Sequence, residues 1–240
     1  MKSWLVLRHH REQVGGKLLF ITVPTLGSHP EMLEALAQSS GVPRERIVVV
    51  ATGPNVKAPE GTVVVEDFGS LNIQRWWNRG IEESIRRGAT AVAVLNDDVR
   101  VGPNALGELH EALVQSGATV ASPTRPGEPS KLNRGRLIPY SPKIWGCLWV
   151  VDAKSGLRPD ERYEWWYGDH DLDIRARRDF KGIVTVEVEY EHVHSGEATG
   201  SSNEFADIIK RDEWTYQSDY ARLQTLDRWA KRFLPTWSRN

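Results

Sequence analysis

The stretch Ala91-Val92-Ala93-Val94-Leu95-Asn96-Asp97-Asp98 decides the fold of this chain, because an apolar run ends abruptly in three polar residues. A short continuous apolar run with polar residues on both sides is typical of a strand buried on both faces of a sheet. We therefore predict a strand over residues 91–95. Its carboxyl end delivers Asn96, Asp97 and Asp98 to one edge of that sheet.

The rest of the first half repeats this pattern, with short apolar runs separated by longer amphipathic stretches. The alternation predicts an α/β fold in which helices flank a mostly parallel, Rossmann-like central sheet. Ligands of such sheets bind outside the carboxyl ends of the strands, so Thr25, Thr52, Asp67 and Asp98 are expected to lie along one edge. The predicted strands are residues 18–25, 47–51, 62–65, 91–95 and 118–122, and the predicted helices are residues 30–38, 72–87 and 103–116.

The second half of the sequence has a less regular pattern of apolar and polar residues. The Pro- and Gly-rich residues 124–136 predict a loop or a mobile lid. Strands are predicted over residues 144–151, interrupted at Gly146, and over residues 183–190. Helices are predicted over residues 169–178 and 204–233, and the second is expected to pack on the body of the protein.

Composition excludes several classes of protein. The 240 residues carry a formal net charge of −1, so no overall positive field favours strong nucleic-acid binding. No stretch approaches the roughly 20 apolar residues that cross a bilayer, and the N-terminus does not resemble a signal peptide. The single Cys147 cannot form an internal disulfide. We expect a cytoplasmic protein without a membrane span.

The acidic pair Asp97-Asp98 has two interpretations. Two carboxylates at a ligand-binding edge repel a diphosphate unless a divalent cation lies between them, which favours bound Mg²⁺ or Mn²⁺. Asn and Asp are also common turn residues that cap a following helix. The pair on its own leaves both interpretations open.

Two further motifs are ambiguous in the same way. Asp169 and Asp171 stand where a helix begins, where carboxylates cap free amides and where an ionised carboxylate also serves as a general base. His192 and His194 share one face if the preceding strand continues, which is compatible with metal ligation and with ordinary surface residues. Ten tryptophans are many for this length, and several flank these motifs, where indole rings stack well on sugars and nucleobases.

The order and spacing of these pieces resemble the inverting family 2 glycosyltransferases and their rhamnosyltransferase-like relatives, over about residues 18 to 200. Asn78-Arg79-Gly80-Ile81 matches an Asn-x-Gly-Ile element that precedes the acidic strand in that family. The resemblance implies the GT-A fold and makes Asp98 the last carboxylate of the DXD motif, which binds the metal. Asn96 stands at the first position of that motif and Asp97 at its middle.

The resemblance also covers the acceptor side. Gly168-Asp169-His170-Asp171-Leu172, followed by Arg175, occupies the place of a Glu-Asp-x-Asp-Leu helix start. Asp169 thereby inherits the role of catalytic base, and Gly168 replaces the usual acid. A downstream histidine of the family favours His194 over His192 as the second metal ligand.

The resemblance thus implies direct displacement of a nucleoside diphosphate from a nucleotide sugar, with Mn²⁺ or Mg²⁺ as cofactor and a UDP-sugar as the expected donor. It divides the chain into a GT-A domain, residues 1–200, and a C-terminal helical extension, residues 201–240. Within the domain, about 17–122 would bind the nucleotide sugar and about 137–200 the acceptor. The residues implied around the donor are Pro24, Thr25, Thr52, Asp67, Asn78, Asn96 and Asp97, and those around the acceptor are Gly146, Trp166, Tyr167 and Asp171.

Two other functions are compatible with the residues. A nucleotidyltransferase also combines a nucleotide-binding sheet with a divalent metal, but Thr25-Leu26-Gly27-Ser28 lacks the Gly-rich, basic phosphate loop expected there. A non-catalytic sugar- or nucleotide-binding module is the other alternative, and Gly168 favours it. The acceptor class, among glycan, lipid carrier, protein and modified base, and the oligomeric state stay open.

Overall fold

A central sheet of eight strands organises the computed structural model, which describes residues 18–69, 71–125, 127–194 and 203–233. In sheet order the strands are β3-β2-β1-β4-β8-β6-β9-β7. Parallel pairing joins β3, β2, β1 and β4, and also β6 with β9, while β8 and β7 run antiparallel to their neighbours. The strands of this sheet are β1 (Leu19–Thr25), β2 (Ile47–Ala51), β3 (Val63–Glu66), β4 (Ala91–Leu95), β6 (Val120–Pro123), β7 (Lys131–Asn133), β8 (Leu148–Asp152) and β9 (Ile183–Val186).

Helices cover both faces of the sheet, so the innermost strands are buried throughout. Every residue of β1, β2 and β4 is buried, as the continuous apolar runs predicted. Apolar residues of α1 and α3 pack on one face, and those of α2 and α4 pack on the other. The helices are α1 (Pro30–Ser39), α2 (Ile73–Arg86), α3 (Ala105–Ser116), α4 (Gly168–Arg178) and α5 (Asn203–Phe233), with a short 3₁₀ helix at Arg44–Arg46.

Gly80 sets how closely α2 approaches the sheet. A Cβ atom at Gly80 would lie 1.6 Å from Thr22 Oγ1 of β1, a distance that no pair of non-bonded heavy atoms tolerates. The helix itself begins at a good cap, because the Asn72 side chain accepts a hydrogen bond from the Arg75 N–H at 2.9 Å. The glycine of the Asn-x-Gly-Ile element is therefore required by packing.

Three sequence predictions for the second half are wrong in detail. Residues 124–136 are not entirely a loop, because β7 pairs with β9 at the sheet edge. Residues 144–151 form a strand only from Leu148 onward, since an isolated bridge between Trp145 and Leu148 folds the chain back at Gly146. Residues 183–190 divide into β9 and β10 (Tyr190–His192), because β10 leaves the large sheet to pair with β5 (Val99–Val101).

The C-terminal extension is helical, as predicted, and α5 packs on the body with a kink at Tyr220. Tyr216 and Tyr220 of α5 are buried against Tyr163 and Ile174. The domain limits predicted at residues 17, 200 and 240 lie outside the described residues. Among the helices of the described ranges, none is long and apolar enough to cross a membrane.

Candidate active site

The predicted donor residues meet at the carboxyl edge of the parallel strands. The Thr25 hydroxyl donates a hydrogen bond to Asp97 Oδ2 at 2.5 Å, and the Thr52 hydroxyl donates to the Thr25 carbonyl at 2.8 Å. Pro24 precedes Thr25 as a buried residue of β1. Burial raises the pKa of Asp97, against the lowering effect of the Thr25 hydrogen bond. Three neighbouring strands thus deliver one continuous polar edge.

Asp98 follows Asp97 and has a histidine as its partner. His192 Nε2 lies 3.1 Å from Asp98 Oδ2, and the Asp98 carbonyl accepts a hydrogen bond from the Val193 N–H at 2.9 Å. The hydrogen bond to Asp98 raises the pKa of His192 to about 10. The β5–β10 ladder creates this contact, because His192 pairs with Val99, the residue after Asp98.

The acidic edge also has unused oxygen atoms. Asp98 Oδ1 and Asn96 Oδ1 are buried and have no hydrogen-bond partner among the described residues. Carboxylate and amide oxygens are the ligands that Mg²⁺ and Mn²⁺ prefer, so these two atoms fit a cation at this position. Within the described ranges no group of three or more His, Cys, Asp and Glu residues is arranged around one point. A cation here would therefore share its coordination with the phosphates of a ligand, as Mg²⁺ commonly does.

His194, the predicted second metal ligand, lies at the same edge but against another residue. Its ring stacks on the ring of His29, with centroids 4.2 Å apart and planes 6° apart. His192, the less favoured of the two histidines in the sequence analysis, contacts Asp98 instead. The role of His194 as a metal ligand stays a prediction.

Asp169, the predicted base, lies in the first turn of α4 and is half-buried. Asp169 Oδ1 accepts a hydrogen bond from the His170 N–H at 2.9 Å. Its other oxygen lies over Gly146, where an added Cβ atom would be 3.3 Å away. The adjoining Cys147 carbonyl accepts from the Asn96 N–H at 3.1 Å, which joins the acceptor side to the acidic edge. Gly146 thus leaves the space that the Asp169 carboxylate needs.

Gly168, which replaces the acid of the family motif, faces a buried side chain from α2. A Cβ atom at Gly168 would lie 2.2 Å from Gln74 Cδ and Nε2. Gln74 is 1% exposed, and its Oε1 has no hydrogen-bond partner in the described part of the chain. The amide of Gln74 therefore occupies the space next to Asp169 that a larger residue 168 would need.

The segment before α4 carries the predicted aromatic wall. Trp166 is 45% exposed, whereas the Tyr167 ring stacks on Tyr216 of α5 at 4.8 Å. Among the described non-glycine residues only Tyr167 has a positive φ, 64°, a conformation that side chains other than glycine adopt at a cost. This turn presents Trp166 to solvent and starts α4 directly afterwards.

An aspartate of α5 holds that segment in place. Asp212 is 1% exposed and accepts hydrogen bonds from three consecutive backbone N–H groups, those of Glu164, Trp165 and Trp166, at 2.9, 2.7 and 2.7 Å. A buried carboxylate satisfied in this way is a strong local anchor. Sequence reasoning missed Asp212, because nothing in its neighbourhood distinguishes it from other acidic residues of the helix.

Two predicted site residues make contacts within the protein. Asp171 is 2% exposed, pairs with Arg175 at 2.5 Å and accepts the Tyr220 hydroxyl at 2.6 Å, so it ties α4 to α5, and its contact with an acceptor stays a prediction. The Asn78 amide donates to the Pro159 carbonyl at 3.0 Å and to Glu161 Oε1 at 2.8 Å. Asn78 therefore fixes the segment before α4, and its role around the donor stays a prediction.

Asp67 is at the expected edge but is also paired. Its carboxylate lies 2.8 Å from an Arg75 terminal nitrogen and accepts the Gly69 N–H at 3.2 Å. Arg79 approaches the same carboxylate at 3.7 Å. A nucleoside at this end of the sheet would meet an aspartate that two arginines neutralise.

The sheet order, the helices on both faces and the acidic pair at the end of β4 define a GT-A-type fold. The solved structures agree: S. aureus TarS 1-349 matches with a TM-score of 0.52 and 10% identity over 84% of this chain and 72% of that one. The same protein in complex with UDP-GlcNAc matches with a TM-score of 0.55 and 12% identity, over 80% of this chain and 64% of that one. Its complex with UDP matches with a TM-score of 0.53 and 11% identity, over 81% of this chain and 64% of that one.

The likeness to these structures concerns the fold alone, because the identities are so low. No family model matches the chain, and no curated protein matches it either.

Proposed function

We propose that this protein is a glycosyltransferase that moves a sugar from a nucleoside diphosphate sugar, with a UDP-sugar as the expected donor, to an acceptor hydroxyl. One arrangement carries the proposal: Asp98 at the end of β4 has a buried oxygen without a hydrogen-bond partner among the described residues, and Asp169 lies across Gly146 from the same edge. The first group suits a diphosphate with its cation, and the second suits a proton acceptor. In this GT-A-type fold both groups lie at the carboxyl edge of the sheet.

On the donor side, the edge formed by Thr25, Thr52 and Asp97 would hold the nucleoside diphosphate. Asp98 and Asn96 would hold Mn²⁺ or Mg²⁺, with His194 as the proposed further ligand. A bound divalent cation supplies charge neutralisation to a departing diphosphate. The buried Cys147 is compatible with the cytoplasm as the proposed compartment.

On the acceptor side, Asp169 would accept the proton of the attacking hydroxyl as its oxygen forms a bond to the anomeric carbon. The bond from that carbon to the diphosphate oxygen breaks in the same step, which inverts the anomeric centre. Trp166 and Tyr167 would form the aromatic wall against which the acceptor packs. Gly146 keeps the Asp169 carboxylate accessible, and Asp171 supports α4 from behind.

Calorimetry tests the donor half of the proposal. UDP, GDP and dTDP are titrated into the native chain with Mn²⁺ and with chelator, and then into Asp98→Ala. The matched control is Asp207→Ala, since Asp207 is an exposed aspartate of α5. We expect metal-dependent binding of one nucleotide that Asp98→Ala loses and Asp207→Ala keeps. Absence of binding by all three nucleotides refutes the donor site.

A transfer assay tests the acceptor half. Release of nucleoside diphosphate from the cognate nucleotide sugar is measured for the native chain and for Asp169→Asn. Loss of a general base lowers the rate by about 10²–10⁴-fold, while nucleotide affinity should not change. A native chain that binds nucleotide sugar tightly but never turns it over would instead be the non-catalytic binding module.

A further inference from the structure

The last turns of α5 leave large apolar side chains in solvent. Leu226, Trp229 and Phe233 are 50%, 56% and 58% exposed. Their spacing of three and four residues places them on one side of the helix, and the Trp229 and Phe233 rings lie 5.6 Å apart. We call these three residues the apolar stripe.

Three arginines lie on the same turns of α5 as the apolar stripe, Arg222 in line with it and Arg232 to one side of it. Arg222, Arg228 and Arg232 are exposed and have no carboxylate partner among the described residues. Arg222 lies one turn before Leu226, and the Arg232 guanidinium lies 5.5 Å from the centre of the Phe233 ring. The fourth cation, Lys231, pairs with Asp227 at 2.7 Å. Residues 222–233 thus carry four cations and one anion in a chain whose formal net charge is −1.

A groove continues the apolar stripe toward the body of the protein. It encloses about 560 Å³ between α4 and α5, and its lining includes Leu137, Ile174, Leu223 and Leu226 together with Arg222. The acid in this lining, Asp219, already pairs with Arg162 at 2.9 Å and accepts the Tyr163 hydroxyl at 3.0 Å. The groove is therefore mostly apolar, and its lining includes one cation, Arg222, that has no carboxylate partner among the described residues.

We propose that this end of α5 docks on the surface of a lipid bilayer that contains anionic lipids. An interfacial helix combines exposed Trp, Phe and Leu on one face with Lys and Arg beside them, which is the arrangement seen here. The indole and phenyl rings enter the headgroup boundary, and the arginines contact the phosphates. The helix lies on the membrane and does not cross it, in agreement with the absence of a spanning helix in the described ranges.

Charge favours a lipid surface over a second copy of the chain. A two-fold interface built on the stripe would bring Arg222 and Arg232 of one copy close to the arginines of the other. Like charges at an interface oppose association, whereas an anionic surface neutralises them. The proposal is independent of the proposed catalytic function.

Sedimentation with vesicles tests the proposal on the full chain. We expect binding to vesicles of equal amounts of phosphatidylglycerol and phosphatidylcholine, and much weaker binding to phosphatidylcholine alone. Each arginine near an anionic surface favours binding about fivefold, so replacing Arg222, Arg228 and Arg232 together by Gln should weaken binding on the order of a hundredfold. Added salt should weaken the binding of the native chain, because it screens the surface charge.

The aromatic part of the surface has a matched control on the same helix. The double variant Trp229→Ala, Phe233→Ala should lose at least about tenfold in vesicle affinity. Trp214→Ala should lose nothing, although Trp214 is 71% exposed, because it lies in the first half of α5. All these positions are exposed, so helical circular dichroism should stay unchanged.

Three results would overturn the proposal: equal affinity for neutral and anionic vesicles, no binding to either, or a double variant that binds as well as Trp214→Ala. A concentration-dependent mass that the double variant abolishes would assign the stripe to self-association instead. Because nucleotide binding is measured separately, failure here leaves the proposed function untouched.

Discussion

Replacing Gly168 by Ala tests why this chain lacks the acid that its family resemblance leads one to expect. The new Cβ atom would lie 2.2 Å from Gln74 Cδ and Nε2, more than 1 Å inside ordinary contact. Gln74 belongs to the first turn of α2 and is 1% exposed, so it has little room to move. Overpacking of this kind costs about 1–3 kcal/mol, which lowers Tm by roughly 3–10 °C in a chain of this size.

Thermal and urea unfolding of two further variants make the test specific. Gly107→Ala is the matched control, because Gly107 is an exposed residue of α3 with no atom within 4 Å of an added Cβ. It should stabilise the protein by about 0.5–1 kcal/mol, since alanine loses less backbone entropy in a helix. In a Gln74→Ala background the cost of Gly168→Ala should largely disappear, because the crowding atoms are gone.

Crowding by Gln74 is refuted if Gly168→Ala is as stable as Gly107→Ala. It is also refuted if Gly168→Ala lowers the free energy of unfolding equally in the presence and absence of the Gln74 side chain. Either result would mean that the Gln74 amide does not determine the residue at position 168.

Three other substitutions probe the site and the fold. Gly146→Ala places a methyl group 3.3 Å from an Asp169 oxygen, so the rate of sugar transfer should fall by about tenfold or more. Nucleotide affinity measured by calorimetry should stay unchanged. An equal loss of transfer rate and nucleotide affinity would contradict a local effect. Asp212→Asn turns an amide N–H toward backbone donors, so the free energy of unfolding should fall by about 2–4 kcal/mol and tryptophan fluorescence should change. An unchanged urea midpoint would refute the role of Asp212 as an anchor of this segment. Gly80→Ala should unfold at a lower temperature than Gly168→Ala, because its Cβ would be 1.6 Å from Thr22 Oγ1.

The fold of the first half could be predicted well because each of its elements is encoded locally. The apolar runs at β2 (Ile47–Ala51) and β4 (Ala91–Leu95) have the predicted bounds. Parallel pairing then places Thr25 and Asp98 at one edge without further information. The short strand β5 (Val99–Val101) was missed because three residues give too little periodicity to recognise.

The site could be predicted only in part from the sequence. The carboxylates Asp98 and Asp169 were named correctly as residues of the edge and of the helix start, because strand ends and helix starts follow from local pattern. The partners of these carboxylates were not visible. His192 reaches Asp98 only because β10 pairs with β5, and Gln74 crowds Gly168 only because α2 packs beside the start of α4.

By itself, then, the sequence determined which elements form and which polar residues end them, since hydrophobic period, capping and strand length act over a few residues. The tertiary structure alone decided which of those residues touch. Asp212 anchors the backbone of the segment before α4, which lies 46 to 48 residues earlier in the chain. A contact of that separation depends on how two helices pack against one body, and no local pattern encodes it.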